Sequence, residues 1–209
     1  AVYWPAFLLS AGLSLPKKLF VHGYYTVNGQ KMSKTIGNVY DPIPLLEKYG
    51  ADPLRYYCLA KTPPFNDGDF SEEKFIEAYN ADLANGLGNL ISRIAKLCEK
   101  SNYGFEGPRS QHKRFFTASS KEYINNFRFD RYLEQVWALI ADENSRIDKF
   151  EPWKKNGEGL IGFLKDAVEQ VDLIAYNLLP ILPQTAEKIL SQFNMERIKA
   201  EAPLFPRIK

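Results

Sequence analysis

Seven apolar residues in one run, Ile76, Tyr79, Leu83, Leu87, Leu90, Ile94 and Leu97, recur at spacings of three and four. That is the period of a single helix face. Asp69 and Glu72 stand just ahead in the D-x-x-E form of a capping box, so the run predicts one helix of about eight turns. A helix that long with one apolar stripe must bury it against neighbours, and the sequence provides them. A second stripe runs Leu133, Val136, Ile140, Ile147. A third covers Leu164, Ala167, Val168, Val171, Ile174 and Leu178 before Pro180 and Pro183 interrupt it. A last helix spans roughly Gln184 to Phe193. Sequential long helices with short loops predict an α-helical bundle. With 45 % apolar and 14 % aromatic residues in 209, the chain can bury a substantial core.

Ahead of the bundle the periods are mixed. Residues 3–12 predict a short buried helix closed by Gly12, and "LFVHGYYTV" (19–27) has the β-branched and aromatic content of a strand leading to a hairpin at Asn28 and Gly29. Asp41 and Pro42 start a short helix that Gly50 ends, and Asp52 and Pro53 start the next. The loop "KTPPFNDGD" closes this α/β portion. The expected division is therefore residues 1–72, mixed α/β, and 73–209, all helical, with the chain mainly α overall.

Composition excludes several functions. Lys and Arg number 27 against 25 Asp and Glu, so any binding of a polyanion has to come from local patches. Two cysteines, Cys58 and Cys98, forty residues apart, and two histidines, His22 and His112, give no zinc-ligand spacing. No apolar run approaches the roughly 20 residues of a membrane span, and the first residues lack a signal-peptide pattern. A cytoplasmic setting is the expectation. The chain opens inside a helical pattern without an initiator Met, which predicts the tail of a longer protein.

The stretch "HGYYTVNGQKMSKTIGN" (22–38) carries Lys31 and Lys34 three apart, with Gly23, Gly29 and Gly37 around them and no acid within "KMSK". Two ammonium groups on a glycine-hinged loop suit an anionic group that arrives and leaves, of which a phosphate chain is the usual case. Taken alone, the same spacing also describes a solvated surface. On the predicted long helix, Asn85, Asn89, Arg93, Lys96 and Lys100 line the face turned from the apolar stripe. Trp153 in "FEPWKK" lies outside the apolar periodicity, after Pro152 and beside Lys154 and Lys155. A rigid aromatic there is either a stacking platform for an unpaired base or a helix-end packing residue.

"KMSKT" between "HGYYTVNGQ" and "IGN" resembles the KMSKS loop of class I aminoacyl-tRNA synthetases. Together with "YWPAFLLSAGL", "VHGYYTVNG" and "GADPLRYY", nearly the whole chain is similar to the methionyl-tRNA synthetases. The resemblance implies that 1–72 is the C-terminal end of a Rossmann-type catalytic domain with its KMSKS-loop (stem-contact) subdomain. It implies that 73–209 is a helix-bundle anticodon-binding domain. The activity implied is ATP-dependent formation of methionyl-adenylate, with Mg2+, and transfer of methionine to tRNA(Met). Lys34 matches the family's principal ATP-contacting lysine and Lys31 its helper, within the motif Lys31, Met32, Ser33, Lys34 and Thr35. Thr35 replaces the family's Ser and keeps a hydroxyl. His22 and Gly23 match an "HG" element near the adenine, where His22 contacts ATP or is a structural residue at a strand end. Trp4 borders the methionine pocket or simply packs. Asn89, Arg93 and Trp153 after Pro152 match the residues that read the anticodon.

The family's HIGH motif and its metal-binding insertion are not in these residues, so the resemblance implies a C-terminal part that is inactive alone. The competing enzymatic reading is a leucyl, isoleucyl or valyl synthetase, which shares "HG", the lysine loop and "GAD-x-LR"; a stand-alone tRNA-binding module is the non-catalytic one. Trp137, beside Val136, reads as structural, and Cys58, Cys98 and His112 carry no signal.

Overall fold

The computed structural model describes residues 2–104 and 117–208, so His112 lies outside the described residues. In chain order the elements are α1 (Tyr3–Ser10), β1 (Tyr25–Val27), β2 (Gln30–Lys31), α2 (Pro42–Tyr49), α3 (Ala51–Ala60), β3 (Gly68–Asp69) and α4 (Glu72–Ala78). A π-helical segment (Tyr79–Gly88) then leads into α5 (Asn89–Lys100), α6 (Ala118–Asn125) and α7 (Phe129–Phe150). A 3-10 turn (Pro152–Lys154), α8 (Gly157–Leu178) and α9 (Pro183–Phe193) complete the order.

The bundle follows the stripes. Every residue named in the second and third stripes is buried, and Tyr79, Leu83, Leu87, Leu90 and Ile94 of the first are buried with them. One apolar cluster runs from Leu45 to Phe205, so the α/β portion and the helices share a core. The long helix is continuous from Glu72 to Lys100, but its centre is π-helical rather than α-helical. Gly86 and Gly88 weaken the α ladder there. Polar side chains of the segment are also drawn outward, Asp82 accepting from Tyr56 (2.9 Å) and pairing with Lys61 (2.8 Å).

Its cap is not the expected one. Ser71 is the N-cap and accepts from the Lys74 N–H at 3.2 Å, whereas Asp69 belongs to β3. Asp52 is likewise no cap of its own helix, which begins at Ala51. It is buried and accepts from the Thr185 N–H at 2.7 Å, capping the first turn of α9. Three residues on, Arg55 donates to the carbonyls of Ile181 (2.7 Å) and Pro180 (3.0 Å), where α8 gives way to α9. "GADPLR" thus rivets α3 onto the α8–α9 junction.

The mixed portion departs further from expectation. α1 ends before Gly12 (φ +68°) as read, but it buries none of its residues, with Trp4 50 % exposed. The strand expected over 19–27 shrinks to residues 25–27. β1 pairs antiparallel with β2 and parallel with β3, in the order β2-β1-β3, so the closing "GD" of the expected loop is a strand. Upstream of β1 the backbone turns away at Gly23, where a Cβ would meet the Asn66 carbonyl oxygen at 2.0 Å. No side chain larger than hydrogen fits this crossing.

Candidate functional site

Asn28 (φ +53°) and Gly29 (φ +73°) both adopt the left-handed region, the geometry of a two-residue hairpin turn, and they join β1 to β2 at the foot of the lysine loop. Beyond β2 the backbone folds into a tight turn around Ser33, whose carbonyl accepts from the N–H groups of Ile36 (3.1 Å) and Gly37 (3.0 Å). Its hydroxyl accepts from the Thr35 N–H at 3.3 Å. Asn38 clips the turn shut, accepting from the Ser33 N–H (2.8 Å) and donating to the Lys31 carbonyl (3.2 Å). Met32 packs half-buried against the core. The motif therefore divides by side: its Met and Ser hold the loop, and its lysines face water.

The two lysines differ. The Lys31 ammonium rests 4.4 Å over the Tyr24 ring, a contact worth about 0.5–1 kcal/mol at an exposed site. Lys34 is exposed and pairs with no acid among the described residues. A ligand anion would meet Lys34 unopposed and would have to draw Lys31 from its ring.

Asp69 fixes the hairpin to the long helix. Its carboxylate accepts from Thr26 Oγ1 (2.8 Å) and the Gly29 N–H (2.9 Å) through Oδ1, and from Lys74 Nζ (2.7 Å) through Oδ2. The Gly29 N–H first, then Lys74 and Thr26, hold its carboxyl down at about 2. The contact persists at any pH above the ordinary carboxylate range and is lost as pH falls towards 2. Asp69→Ala is expected to raise hydrogen exchange across residues 24–30 about tenfold and to leave 32–38 unchanged, while Asn38→Ala does the reverse. Equal exchange in both segments for both variants would show that neither side chain holds its part of the loop.

Along the helical face, Asn85, Asn89, Lys96 and Lys100 are exposed as expected. Arg93 is not a free cation. One of its terminal nitrogens donates to Asn144 Oδ1 at 3.2 Å, and the other forms an ion pair with Asp148. These partners were not singled out in the sequence, although their i, i+4 spacing puts both on one face of α7. The ion pair brings Arg93 to the last turns of α7, after which Glu151 takes a left-handed conformation (φ +52°) and the 3-10 turn presents Trp153. Pro152 is buried, and Trp153 is 50 % exposed. Its neighbouring cations are engaged, Lys154 with Glu151 at 2.6 Å and Lys155 over the Phe150 ring at 5.9 Å.

His22 is exposed and donates through Nδ1 to the Gly23 carbonyl at 2.7 Å. With Gly23 it lines a cleft of about 250 Å³ that also includes Phe20, Cys58 and Phe129. Burial pushes the Cys58 and Cys98 thiols up, Cys98 to about 12, so neither supplies a thiolate near neutrality. Trp137 packs half-buried against the core, its ring tilted against that of Tyr56 with centroids 4.4 Å apart. Among the described residues no three His, Cys, Asp or Glu side chains are grouped to hold a metal ion, and no helix is long and apolar enough to cross a membrane.

The sequence profile of the tRNA synthetases class I (M) matches residues 1–95. The methionine–tRNA ligase of Thermotoga maritima is 38 % identical over 94 % of this chain and 33 % of its own length. That of Clostridium acetobutylicum is 39 % identical over 93 % and 33 %. Along its length the chain is similar to the methionyl group of class I tRNA synthetases. Methionyl-tRNA synthetase structures from Mycobacterium tuberculosis superpose on it along its length. The free form gives a TM-score of 0.79 at 27 % identity over 100 % of this chain and 47 % of that one. The form bound by methionyl-adenylate gives 0.77 at 27 % over 98 % and 47 %. The chain spans about a third of the length of the curated synthetases it matches.

Proposed function

We propose that this chain supplies the nucleotide-facing lysine loop and the anticodon-reading helices of an enzyme that activates methionine with ATP and transfers it to tRNA(Met). One observation carries the reading: a turn clipped by Asn38 and anchored by Asp69 presents Lys34 to water with no acid paired to it among the described residues. In the activating step a methionine carboxylate oxygen bonds to the α-phosphorus of ATP, and the bond from that phosphorus to the bridging oxygen breaks. The charge that builds on the leaving pyrophosphate is greatest in the transition state, where a positioned ammonium lowers the barrier. Lys34 is the principal donor, Lys31 joins on leaving Tyr24, and Ser33, His22 and Gly23 belong to the nucleotide side. Trp4 belongs to the methionine side, on a helix whose apolar residues lie open.

Mg2+ accompanies the nucleotide phosphates in this reading, as is usual where the ion is bound largely through substrate phosphates. Residues 1–72 form the catalytic and linking part and 73–209 the tRNA-reading part, and the long helix that begins at Glu72 joins them. Asn89, Arg93 and Trp153 read anticodon bases in a cytoplasmic setting. The similarity to methionine–tRNA ligases, and to a relative solved with methionyl-adenylate, favours this reading over a leucyl, isoleucyl or valyl enzyme and over a module without chemistry.

The purified 209-residue chain is expected to fold yet show no methionine-dependent ATP–pyrophosphate exchange, because it lacks the HIGH motif. The complete protein that carries it is expected to be active. Exchange above background by the isolated chain would contradict this division of labour.

A further inference from the structure

The segment after α9 returns to the long helix, and nothing in its sequence patterning signals this. Ile208 is clasped by Asn80, whose amide donates to the Ile208 carbonyl and accepts from its N–H, each at 2.9 Å. Phe205 is buried, its ring 5.8 Å from that of Tyr79 in an edge-on contact. Between these anchors Arg207 is exposed, and its Nε donates to Asn85 Oδ1 at 2.9 Å. The bond leaves both terminal nitrogens of the guanidinium without an acid partner among the described residues. Arg207 lines a cleft of about 360 Å³ that also includes Asn89 and Ser92, with Phe205 in its wall and no carboxylate in its lining.

A cation held at Nε, with two free N–H₂ groups beside neutral amides, suits a phosphate: a guanidinium can give a phosphodiester two parallel donors. The cleft is large enough for a small ligand. We infer that Arg207, held by Asn85 and by the clasp at Ile208, binds the backbone phosphate of the nucleotide whose base meets Asn89. The proposal rests on the anticodon reading of Asn89 for the identity of the RNA. It adds a contact from outside the helices, made by a cation fixed before RNA arrives.

The test is binding of the complete protein to a 5′-fluorescent anticodon stem-loop of tRNA(Met) and to one with an altered anticodon, each followed over a range of salt. Arg207→Gln is expected to weaken binding to both loops about tenfold and to reduce the salt slope by about one, because a phosphate contact releases counterions and carries no base information. Arg207→Lys should retain the slope, and Asn85→Ala, which frees the fork, should lose part of the affinity for both loops. Because Arg207 is exposed, unchanged thermal melting of Arg207→Gln serves as the folding control. Unchanged affinity and slope in Arg207→Gln overturn the proposal, and so does a loss confined to the matched loop, which would make Arg207 a base reader. Failure of the anticodon reading looks different: wild-type protein would not prefer the matched loop, while a uniform slope change at Arg207 would still support the phosphate contact.

Discussion

Lys34→Ala in the complete protein is expected to lower the rate of methionyl-adenylate formation by ~10²–10³, the scale of one preorganised electrostatic donor, while ATP affinity changes much less. The asymmetry follows from where the charge appears. Lys34 is exposed and has no acid partner to release among the described residues, so its contribution is made when pyrophosphate departs. Lys31→Ala should cost less, because its ammonium has first to leave the Tyr24 ring. The measurement is single-turnover adenylation across ATP concentrations. An unchanged rate at every ATP concentration would show that the motif match misleads, and a loss wholly regained at high ATP would assign Lys34 to ground-state binding alone.

Trp153→Ala is expected to weaken recognition of the tRNA by ~1–3 kcal/mol, the value of one base–aromatic stack. Asn89→Ala and Arg93→Ala should relax discrimination among anticodon bases, since an amide and a guanidinium read base edges. Arg93→Ala leaves Asp148 without its ion pair, but that side chain is 64 % exposed and stays hydrated, so a loss of discrimination can be read without a loss of fold. Lys96→Ala and Lys100→Ala should weaken binding equally for matched and altered anticodons and reduce its salt dependence. Aminoacylation efficiency on matched and anticodon-variant tRNAs separates these outcomes, with adenylation assayed in parallel. If Trp153→Ala and Arg93→Ala leave the ratio between matched and altered tRNAs intact, this face is a solvated helix surface.

What the sequence made legible was periodic. The stripes from Ile76, Leu133 and Leu164 became the long helix, α7 and α8 because a helix that buries one face must repeat its apolar residues at that spacing. The Asn28–Gly29 turn was equally plain, since two successive left-handed residues favour that pair. α6 was missed because "ASSKEYIN" has no apolar period and starts on the Thr117 side chain, which accepts from the Ser120 N–H at 3.0 Å. α1 was expected to be buried from its apolar content, but content does not say whether a partner surface exists among these residues.

Carboxylates were the hardest to read. Asp69 and Asp52 both stand where a helix cap is expected. Besides the nearby Lys74, however, Asp69 is held by Gly29 and Thr26, and Asp52 is held by Thr185, partners far away in sequence. Local spacing carries no trace of such pairings. For the same reason the lysine motif was visible as a string, whereas the Asn38 clip that shapes it and the Asp148 partner that orients Arg93 emerged only in three dimensions.

The most direct measurement is ATP–pyrophosphate exchange by the complete protein, with methionine, leucine, isoleucine and valine supplied separately. Exchange that depends on methionine and falls by ~10²–10³ in Lys34→Ala is the predicted result. Exchange driven by one of the other three amino acids, or none with any of them from folded protein, would contradict it.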